Sequence, residues 1–524
     1  MPILVVDPIA QDGIDALKRQ TEVDVRLGLS HDELLGLVGS YDGLVVRSET
    51  KVTADVIAAG HRLQVIGRAG VGVDNIDVDA ATARGIVVVN APSGNTIAVA
   101  EHTLGLIIAA ARNITLAAAA LREGRWERAK FVGVEIRGKT LGVLGLGRIG
   151  TEVARRAQSF EMRIIGHDPW VSEEHADRIG ARLVDFDTLL AESDFLTVHT
   201  PATAQTEGLI GAKQLERMKP TAWIVNCARG GIVDEVALLA ALDGGKIAGA
   251  ALDVYSSEPA GDNPLVRHPK VVGTPHLAAS TQEAQVNVAM EVVEQIVDVL
   301  EGRPAPFAVN APPISAESAR VLAPFSGLAQ TLGNLATQLT EGQLRGVEIT
   351  YSGEIAEHDT AALKASVIRG LLQTVSDEPV TFVNAAIVAR NRGLRIIELK
   401  SSAPENYTNL ITVQLHTESG DSMVGGTILN GTPHIVRIDE YWVSVASTGG
   451  HVLLTRHTDR PGIIGTVGTI LGEADINISQ MQVGRETERG PALMLVFIDE
   501  PIPQETLRQI QSTADLQFAK LVRI

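Results

Sequence analysis

Short apolar runs without internal alternation recur from the N-terminus to residue 274, and stretches with helical periodicity separate them. Unalternated runs are typical of parallel strands that are buried on both faces. The runs form two series, 3–6, 43–46, 63–67 and 86–90, and then 140–145, 163–168, 195–200, 222–226, 249–254 and 271–274. Helices are predicted between them, for example at 73–84 and 99–112. Strands that alternate with helices predict an α/β fold, here with two Rossmann-like, doubly wound lobes.

The pattern changes after the long helical stretch at 280–302. The segment RPAPFAVNAPPIS contains four prolines and indicates a linker at a domain boundary. Residues 315–447 mix helical and strand patterns, which favours an α+β domain. The C-terminal segment follows the order strand, helix, strand, strand, helix, strand, which is the ferredoxin-like βαββαβ unit.

Composition limits the partners of this chain. Its 524 residues exceed what one hydrophobic core supports, and its formal net charge of −18 disfavours nucleic acid and anionic membranes. The single cysteine, Cys227, allows no internal disulfide and no cysteine-rich metal site, and no metal is expected. The N-terminus lacks a signal-peptide pattern, and the apolar run 104–111 is shorter than the ~18 residues of a membrane span. We expect a cytoplasmic protein.

The stretch GVLGLGRIG has the spacing G-x-G-x-x-G at Gly145, Gly147 and Gly150. A predicted strand precedes it and a predicted helix follows. A second strand then ends in Asp168, about 20 residues further on, where a carboxylate accepts hydrogen bonds from the adenosine ribose. A glycine-rich turn without a ligand is the alternative, which this context disfavours. Because a carboxylate at 168 repels a 2′-phosphate, the pattern predicts NAD rather than NADP.

Polar residues follow several predicted strands, at the edge of the sheet where open α/β folds bind ligands. They are Arg47 with Ser48, Arg68 before the sequence AGVG, Arg229, Asp253 and His276. Any one arginine could equally form a surface ion pair. Three arginines that converge on one cleft predict a receptor for a small, multiply charged anion.

Arginine and histidine beside a dinucleotide site predict a 2-hydroxy or 2-keto acid as substrate. Arginine would bind the carboxylate, and His276 would transfer the hydroxyl proton. A catalytic histidine needs a partner that fixes its tautomer, and Glu258 in YSSEPA is the candidate. Gly230 and Gly231, which follow Arg229, are expected to leave room for substrate and nicotinamide.

The motifs GLGRIG, NCARGG, SEP and TPHLAAST, in this order, resemble the D-isomer-specific 2-hydroxyacid dehydrogenase family. The resemblance implies that Arg229 binds substrate and polarises its carbonyl, that Glu258 orients the histidine, and that His276 donates or accepts the proton. It also implies cofactor contacts at Gly145, Gly147, Arg148, Ile149, Gly150, Asp168, Thr200, Cys227, Ala228, Arg229, Asp253 and His276. Cys227 would then be a small residue beside the cofactor and not a nucleophile.

The stretches VVRSETKVTADVI and IGRAGVGVDNID resemble family members that act on 3-phospho-D-glycerate. This resemblance implies substrate contacts at Arg47, Ser48, Arg68 and Gly70. The expected reaction is oxidation to 3-phosphohydroxypyruvate, the first step of L-serine biosynthesis. Two alternatives stay open: a dehydrogenase for another 2-hydroxy acid, such as glycerate or lactate, and a regulatory protein that senses NAD(H) without turnover.

The stretch HTDRPGIIGTVGTILGEADINISQMQV resembles an ACT domain, a module that senses amino acids. By this resemblance, Asp459 and Asn477 bind L-serine as an effector. Alternatively, Asp459 caps a helix and Asn477 holds a turn. His457 is expected in a loop.

The resemblance also implies a homo-oligomer, a dimer or tetramer, with Trp126 and the helix near 98–112 suited to a dimer interface. The expected domains are a substrate-binding domain (1–95 plus 280–310), an NAD-binding Rossmann domain (96–279), an intervening regulatory domain (311–447) and an ACT domain (448–524).

Overall fold

The computed structural model describes residues 1–303, 305–311, 316–376, 379–403, 406–447, 449–514 and 516–524. Its strands form four sheets, of five, seven, six and four strands. Part of the predicted proline-rich linker, and residue 448 at the expected start of the last domain, lie outside the described residues.

The first sheet is wholly parallel, in the order β2-β1-β3-β4-β5. The elements of this lobe are β1 Ile3–Val5, α1 Gln11–Gln20, β2 Val23–Val25, α2 His31–Leu37, β3 Gly43–Val46, α3 Ala54–Ala59, β4 Val65–Arg68, α4 Val78–Ala83 and β5 Val87–Asn90, with a 3-10 turn at Val38–Ser40. The helix predicted at 73–84 begins only at Val78, because the Asp77 side chain accepts a hydrogen bond from Ala80 N and caps the helix there.

The second sheet is also parallel, in the order β12-β11-β10-β9-β6-β7-β8. Its lobe contains α5 Thr96–Ala111, α6 Ile114–Arg122, β6 Thr140–Leu144, α7 Arg148–Gln158, β7 Arg163–His167, α8 Glu173–Arg178, β8 Arg182–Leu183, α9 Phe186–Glu192, β9 Phe195–Val198, α10 Ala212–Leu215, β10 Trp223–Asn226, α11 Glu235–Asp243, β11 Gly249–Leu252 and β12 Val271–Gly273, with 3-10 turns at Arg128–Phe131 and Pro264–Arg267. The central strands are buried on both faces, as their unalternated sequences predict.

Helix α12, Gln282–Leu300, returns the chain to the first lobe. Its residues Val292 and Ile296 pack over Gly67 of β4, where a Cβ atom would lie 2.6 Å from the Val292 side chain and 2.5 Å from that of Ile296. The missing side chain therefore allows the helix to lie directly on the sheet.

The third sheet is mixed, in the order β14-β13-β15-β16-β17-β18, and only the β13–β14 pair is parallel. The elements are α13 Ala316–Leu339, β13 Leu344–Gly353, α14 Ala361–Gln373, α15 Ala385–Asn391, β14 Arg395–Ser401, β15 Asn409–Thr417, β16 Gly420–Leu429, β17 Thr432–Ile438 and β18 Tyr441–Ala446, with a 3-10 turn at Glu354–Glu357.

The fourth sheet is antiparallel, in the order β20-β21-β19-β22. Its elements are β19 His451–Thr458, α16 Ile463–Glu473, β20 Ile478–Arg485, β21 Pro491–Ile498, α17 Gln504–Gln511 and β22 Leu516–Arg523. The predicted βαββαβ order is confirmed, and with it the predicted fold class. Helices α16 and α17 cover one face of this sheet, while side chains on the other face, such as Leu454 and Leu495, join the core of the preceding domain.

No single helix in the described parts of the chain is long and apolar enough to cross a membrane. Helices α5 and α6, with a bend of 67° between them, reach that length and composition only as a pair.

Candidate active site

The glycine-rich turn joins β6 to α7 at the carboxyl edge of the second sheet. Gly145 has φ +93°, a conformation that side chains other than glycine rarely adopt. A Cβ atom on Gly150 would lie 2.0 Å from the Gly145 carbonyl oxygen, so this glycine lets the helix pack tightly on the turn. In the described structure, no heavy atom beyond the adjoining residues lies within 4 Å of the Cβ position on Gly147, where the turn is open. These are the three roles that a dinucleotide-binding turn assigns to its glycines.

The N-terminus of α7 points its free backbone N–H groups into this open space. Gly147 is the N-cap and provides no side-chain cap, so the amides near Arg148 and Ile149 are available to a pyrophosphate. Asp168 lies beside the turn, where Leu146 N donates to its Oδ2 and Trp170 N donates to its Oδ1, both at 2.9 Å. The carboxylate is thus held in place, and each oxygen keeps a further lone pair for a ribose hydroxyl.

Two residues near the turn bear on cofactor binding. Thr200 Oγ1 is buried and has no hydrogen-bond partner within the described residues, as expected of a group reserved for a ligand. Cys227 is buried, and this burial raises the pKa of its thiol to about 12. A thiol with so high a pKa is not a nucleophile at neutral pH.

Arg229 follows β10 in a loop that Asn226 folds. Asn226 Oδ1 accepts from Ala228 N at 3.0 Å, and Asn226 Nδ2 donates to Arg229 O at 2.9 Å. A Cβ atom on Gly230 would lie 2.0 Å from the Tyr255 carbonyl oxygen. Gly230 lines the cleft, and its missing side chain also allows the close approach of the Tyr255 backbone. Gly231, at φ +82°, has open space around its Cβ position in the described structure.

His276 and Glu258 form a hydrogen-bonded pair. His276 Nδ1 lies 2.7 Å from Glu258 Oε2, and the other carboxylate oxygen accepts from Tyr255 N at 3.0 Å. The backbone of His276 has φ +53°, and its N–H donates to Asp253 O at 2.8 Å. This geometry leaves the second ring nitrogen, Nε2, for a substrate in the cleft.

Asp253 holds the turn that carries His276. Its fully buried carboxylate accepts from Thr274 Oγ1 at 2.5 Å, Leu277 N at 2.7 Å and Ala278 N at 2.9 Å, and His102 Nε2 lies 3.3 Å away. Burial opposes ionisation, but the contact with His102 and the hydrogen bonds from Thr274, Leu277 and Ala278 hold the pKa of Asp253 below its usual range. Asp253 thus anchors the turn, a function that the sequence analysis did not predict.

A cavity of about 710 Å³ lies between the two lobes. Seven of the predicted site residues line it: Arg47, Ser48, Arg68, Gly70, Arg229, Glu258 and His276. These residues lie at or after the ends of five strands in two lobes, β3, β4, β10, β11 and β12, so the cavity exists only when the lobes face each other. The structure therefore brings the predicted anion-binding and proton-transfer residues into one cleft.

The arginines of the cleft are incompletely paired. Arg68 Nε is buried without a hydrogen-bond partner in the described structure. Burial, and then the nearby guanidinium of Arg229, lower the pKa of Arg68 to about 10, so the side chain stays charged at neutral pH. Its guanidinium lies over Gly70, where a Cβ atom would be 1.7 Å from Nη1. Gly70 therefore makes room for Arg68, and an anion in the cleft would relieve the uncompensated charge.

Comparison with known proteins agrees with this geometry. The family model of the D-isomer specific 2-hydroxyacid dehydrogenase NAD binding domain matches residues 104–278, that of the D-3-phosphoglycerate dehydrogenase intervening domain 321–439, and that of the ACT domain 451–515. D-3-phosphoglycerate dehydrogenase of Synechocystis is 47% identical over 524 residues, covering 100% of this chain and 94% of the relative. The chain belongs to the D-3-phosphoglycerate dehydrogenase family.

Other relatives extend the comparison. The D-3-phosphoglycerate dehydrogenase of Archaeoglobus fulgidus is also 47% identical, over 97% of both chains. The crystal structure of the TT0316 protein from Thermus thermophilus matches with a TM-score of 0.55 at 37% identity and covers 59% of this chain and 100% of that one.

Three side chains of this family member were missed by the sequence analysis. Asn75 donates from Nδ2 to Arg47 O at 2.7 Å and to Thr50 O at 2.6 Å, which fixes the loop beside the cleft. Asp74 faces Arg229, and His102 reaches Asp253 from helix α5. Asp74 and Asn75 could have been noticed, because they follow a predicted strand that ends in arginine. No local sequence pattern indicated a role for His102.

The predicted effector residues lie in the ACT region, where each has a protein partner. Asp459 Oδ2 pairs with Arg485 Nη1 at 2.8 Å, and Asn477 Nδ2 donates to Asp499 Oδ2 at 2.7 Å. The alternative that Asp459 caps the helix is wrong, because the N-cap of α16 is Gly462. The expectation of His457 in a loop is also wrong: it lies in β19 with its side chain buried, and burial lowers its pKa.

Proposed function

We propose that this chain oxidises 3-phospho-D-glycerate to 3-phosphohydroxypyruvate with NAD, in the first step of L-serine biosynthesis. The proposal rests on the composition of the cleft, where the His276–Glu258 pair and three arginines line one cavity. Arg229 follows β10, which is separated from β6 and its dinucleotide turn by one strand, β9. An anion with a phosphate and a carboxylate suits three guanidiniums better than a singly charged lactate or pyruvate does.

The roles of the residues follow from charge and reach. Arg229 binds the carboxylate and polarises the C2 oxygen, while Arg47 and Arg68 bind the phosphate end of the substrate. His276 accepts the C2 hydroxyl proton through Nε2, and Glu258 stabilises the imidazolium that forms. Ser48 and Gly70 line the same wall.

NAD fits the glycine-rich turn and its neighbours Asp168 and Thr200. The open helix N-terminus suits a pyrophosphate, the Asp168 carboxylate suits a ribose without a 2′-phosphate, and Thr200 Oγ1 is buried without a partner in the described structure. By the resemblance to the family, Cys227, Ala228 and Asp253 would also contact the cofactor. NAD held by these residues would supply the acceptor for the C2 hydrogen as hydride.

The decisive assay follows NADH consumption with phosphohydroxypyruvate, hydroxypyruvate and pyruvate. We expect selective turnover of the phosphorylated substrate. Preference for an unphosphorylated acid would assign the chain to another 2-hydroxy acid, and NADH binding without turnover of any of the three would favour the regulatory alternative.

We further propose that L-serine binds at Asp459 and Asn477 and inhibits turnover. A carboxylate and an amide suit the ammonium and carboxylate of an amino acid. Serine titrations of the wild type and of Asp459→Ala and Asn477→Ala test this, with the exposed Glu505→Ala on α17 as control. Inhibition that is weakened in the first two variants alone supports the site; equal inhibition in all four proteins rejects it.

We also propose a homo-oligomer that pairs through the segment after α5. Helix α5 buries most of its apolar side chains in its own lobe, but the following segment exposes Leu121, Trp126, Val132 and Val134. Trp126 is 77% and Val132 79% exposed, which is typical of a surface that a partner covers. With its single cysteine, the protein suits the cytoplasm.

A further inference from the structure

Asp74 and Arg229 meet across the cleft from opposite lobes. Asp74 lies in the loop after β4 of the first lobe, and Arg229 follows β10 of the second. Asp74 Oδ2 lies 3.7 Å from Arg229 Nε. Both groups lie against Gly72, where a Cβ atom would be 2.5 Å from Arg229 Nη2 and 2.7 Å from Asp74 Oδ2. A side chain at 72 would therefore separate the pair.

The charge balance of the cavity makes this carboxylate unusual. Three guanidiniums and the side chain of Lys51 line it, and among the described lining residues the only carboxylates are those of Asp74 and Glu258. Glu258 is already engaged by His276 and by a backbone N–H. Asp74 is thus the carboxylate that remains to offset the arginines.

The contact is also weak enough to be exchanged. The Asp74 side chain is 75% exposed, and it makes no hydrogen bond within the described part of the chain. Exposed ion pairs contribute little, and a guanidinium binds a carboxylate more strongly when two parallel N–H groups donate to it. A substrate carboxylate that binds Arg229 in this way would displace Asp74.

We propose that Asp74 is an internal competitor for the anionic groups of the substrate. In the ligand-free cleft, Asp74 partly neutralises Arg229. When the substrate enters, its carboxylate replaces that of Asp74 beside Arg229. Inorganic anions, which match the arginine positions less well, meet the same competition and bind weakly. The identity of the substrate here rests on the function proposed above, but the competition for small anions does not.

Calorimetric titration of the full-length protein with sodium sulfate, in chloride-free buffer without NAD, tests this competition. Asp74→Asn removes the negative charge and keeps the shape of the side chain. We expect its Kd for sulfate to be about 2- to 5-fold lower than that of the wild type, as for removal of a weak exposed partner. The Kd of Asp74→Asn for 3-phospho-D-glycerate should also be lower than that of the wild type.

Two further variants control the comparison. Asp79→Asn removes the same charge from an exposed position on α4 of the same lobe, and its Kd for sulfate should equal that of the wild type. Asp74→Glu restores the charge and should weaken sulfate binding relative to Asp74→Asn. Thermal unfolding of each variant verifies that it is folded.

Unchanged or weaker sulfate binding by folded Asp74→Asn overturns the inference. An equal gain in sulfate affinity in Asp79→Asn would overturn it as well. This outcome is separable from failure of the proposed function, because sulfate binding requires no turnover. A wild type that does not consume NADH with phosphohydroxypyruvate would reject that function and leave the sulfate comparison valid.

Discussion

The Nδ1 atom of His276 lies 2.7 Å from Oε2 of Glu258, and the second oxygen of the same carboxylate accepts from the backbone N–H of Tyr255. One carboxylate oxygen thus binds the imidazole ring of His276 and the other binds the backbone of Tyr255. These two contacts prevent the Glu258 side chain from rotating away. A histidine held in this way keeps its proton on Nδ1 and presents Nε2 to the cleft.

Removal of either member should therefore affect chemistry more than binding. We expect His276→Ala to lower kcat by about 10²- to 10⁴-fold, the usual effect of a lost general base. Glu258→Gln should lower kcat less, because an amide still accepts the Nδ1 hydrogen bond but carries no charge to stabilise the imidazolium. Steady-state kinetics with 3-phospho-D-glycerate test both, and kcat near the wild-type value in His276→Ala would contradict the role.

Asp168 should determine the choice of dinucleotide. Asp168→Ser removes the charge that repels a 2′-phosphate, and we expect the ratio of kcat/KM for NAD to that for NADP to fall at least about 10-fold. Asp185→Ser, at the exposed N-cap of α9 in the same lobe, serves as the control. An unchanged ratio in Asp168→Ser would mean that the carboxylate does not face the ribose.

Cys227 should not react with thiol reagents in the folded protein. With a pKa of about 12, its thiolate fraction at pH 9 is on the order of 10⁻³, and its side chain is buried. Iodoacetamide at pH 9 should therefore leave activity intact, and labelling should require unfolding by urea. Rapid inactivation of the native protein that Cys227→Ala abolishes would show a reactive thiol instead.

His102 should act as a positioning residue, through Asp253 and the turn of His276. Its Nε2 lies 3.1 Å from Thr274 Oγ1 and 3.3 Å from Asp253 Oδ1. We expect His102→Leu to lower kcat about 10-fold with a smaller change in the KM for 3-phospho-D-glycerate. His102→Gln, whose amide can donate from a similar position, should recover much of this loss. A purely structural role predicts a lower Tm in both variants with kcat unchanged.

Val132 should contribute to the dimer interface. We expect Val132→Asp to shift the mass measured by light scattering toward the monomer, because a charge at an apolar interface is costly to bury. Val236, on α11, is equally exposed at 80%, and Val236→Asp should leave the mass unchanged. The same mass for the wild type and both variants would place the interface elsewhere.

Much of this protein could be predicted from local sequence. The parallel strands were recognisable because burial on both faces demands unbroken apolar runs such as Gly43–Val46, and the nucleotide turn because only glycine satisfies the backbone at Gly145 and the packing at Gly150. Arg229 and His276 were recognisable because polar residues at the strand ends of a buried sheet require a ligand or a partner.

Tertiary structure alone decided the rest. Asp74 and Arg229 lie in different lobes, and His102 and Asp253 on different elements of one lobe, so no local pattern links the members of either pair. No local pattern predicted the contact of Gly230 with the Tyr255 backbone either. Nor did one predict that the His457 side chain is buried within a strand. Sequence determines which residues can form strands, turns and charged ends. Only the packing of distant segments decides which charges meet, because electrostatic and steric contacts depend on distance in space and not along the chain.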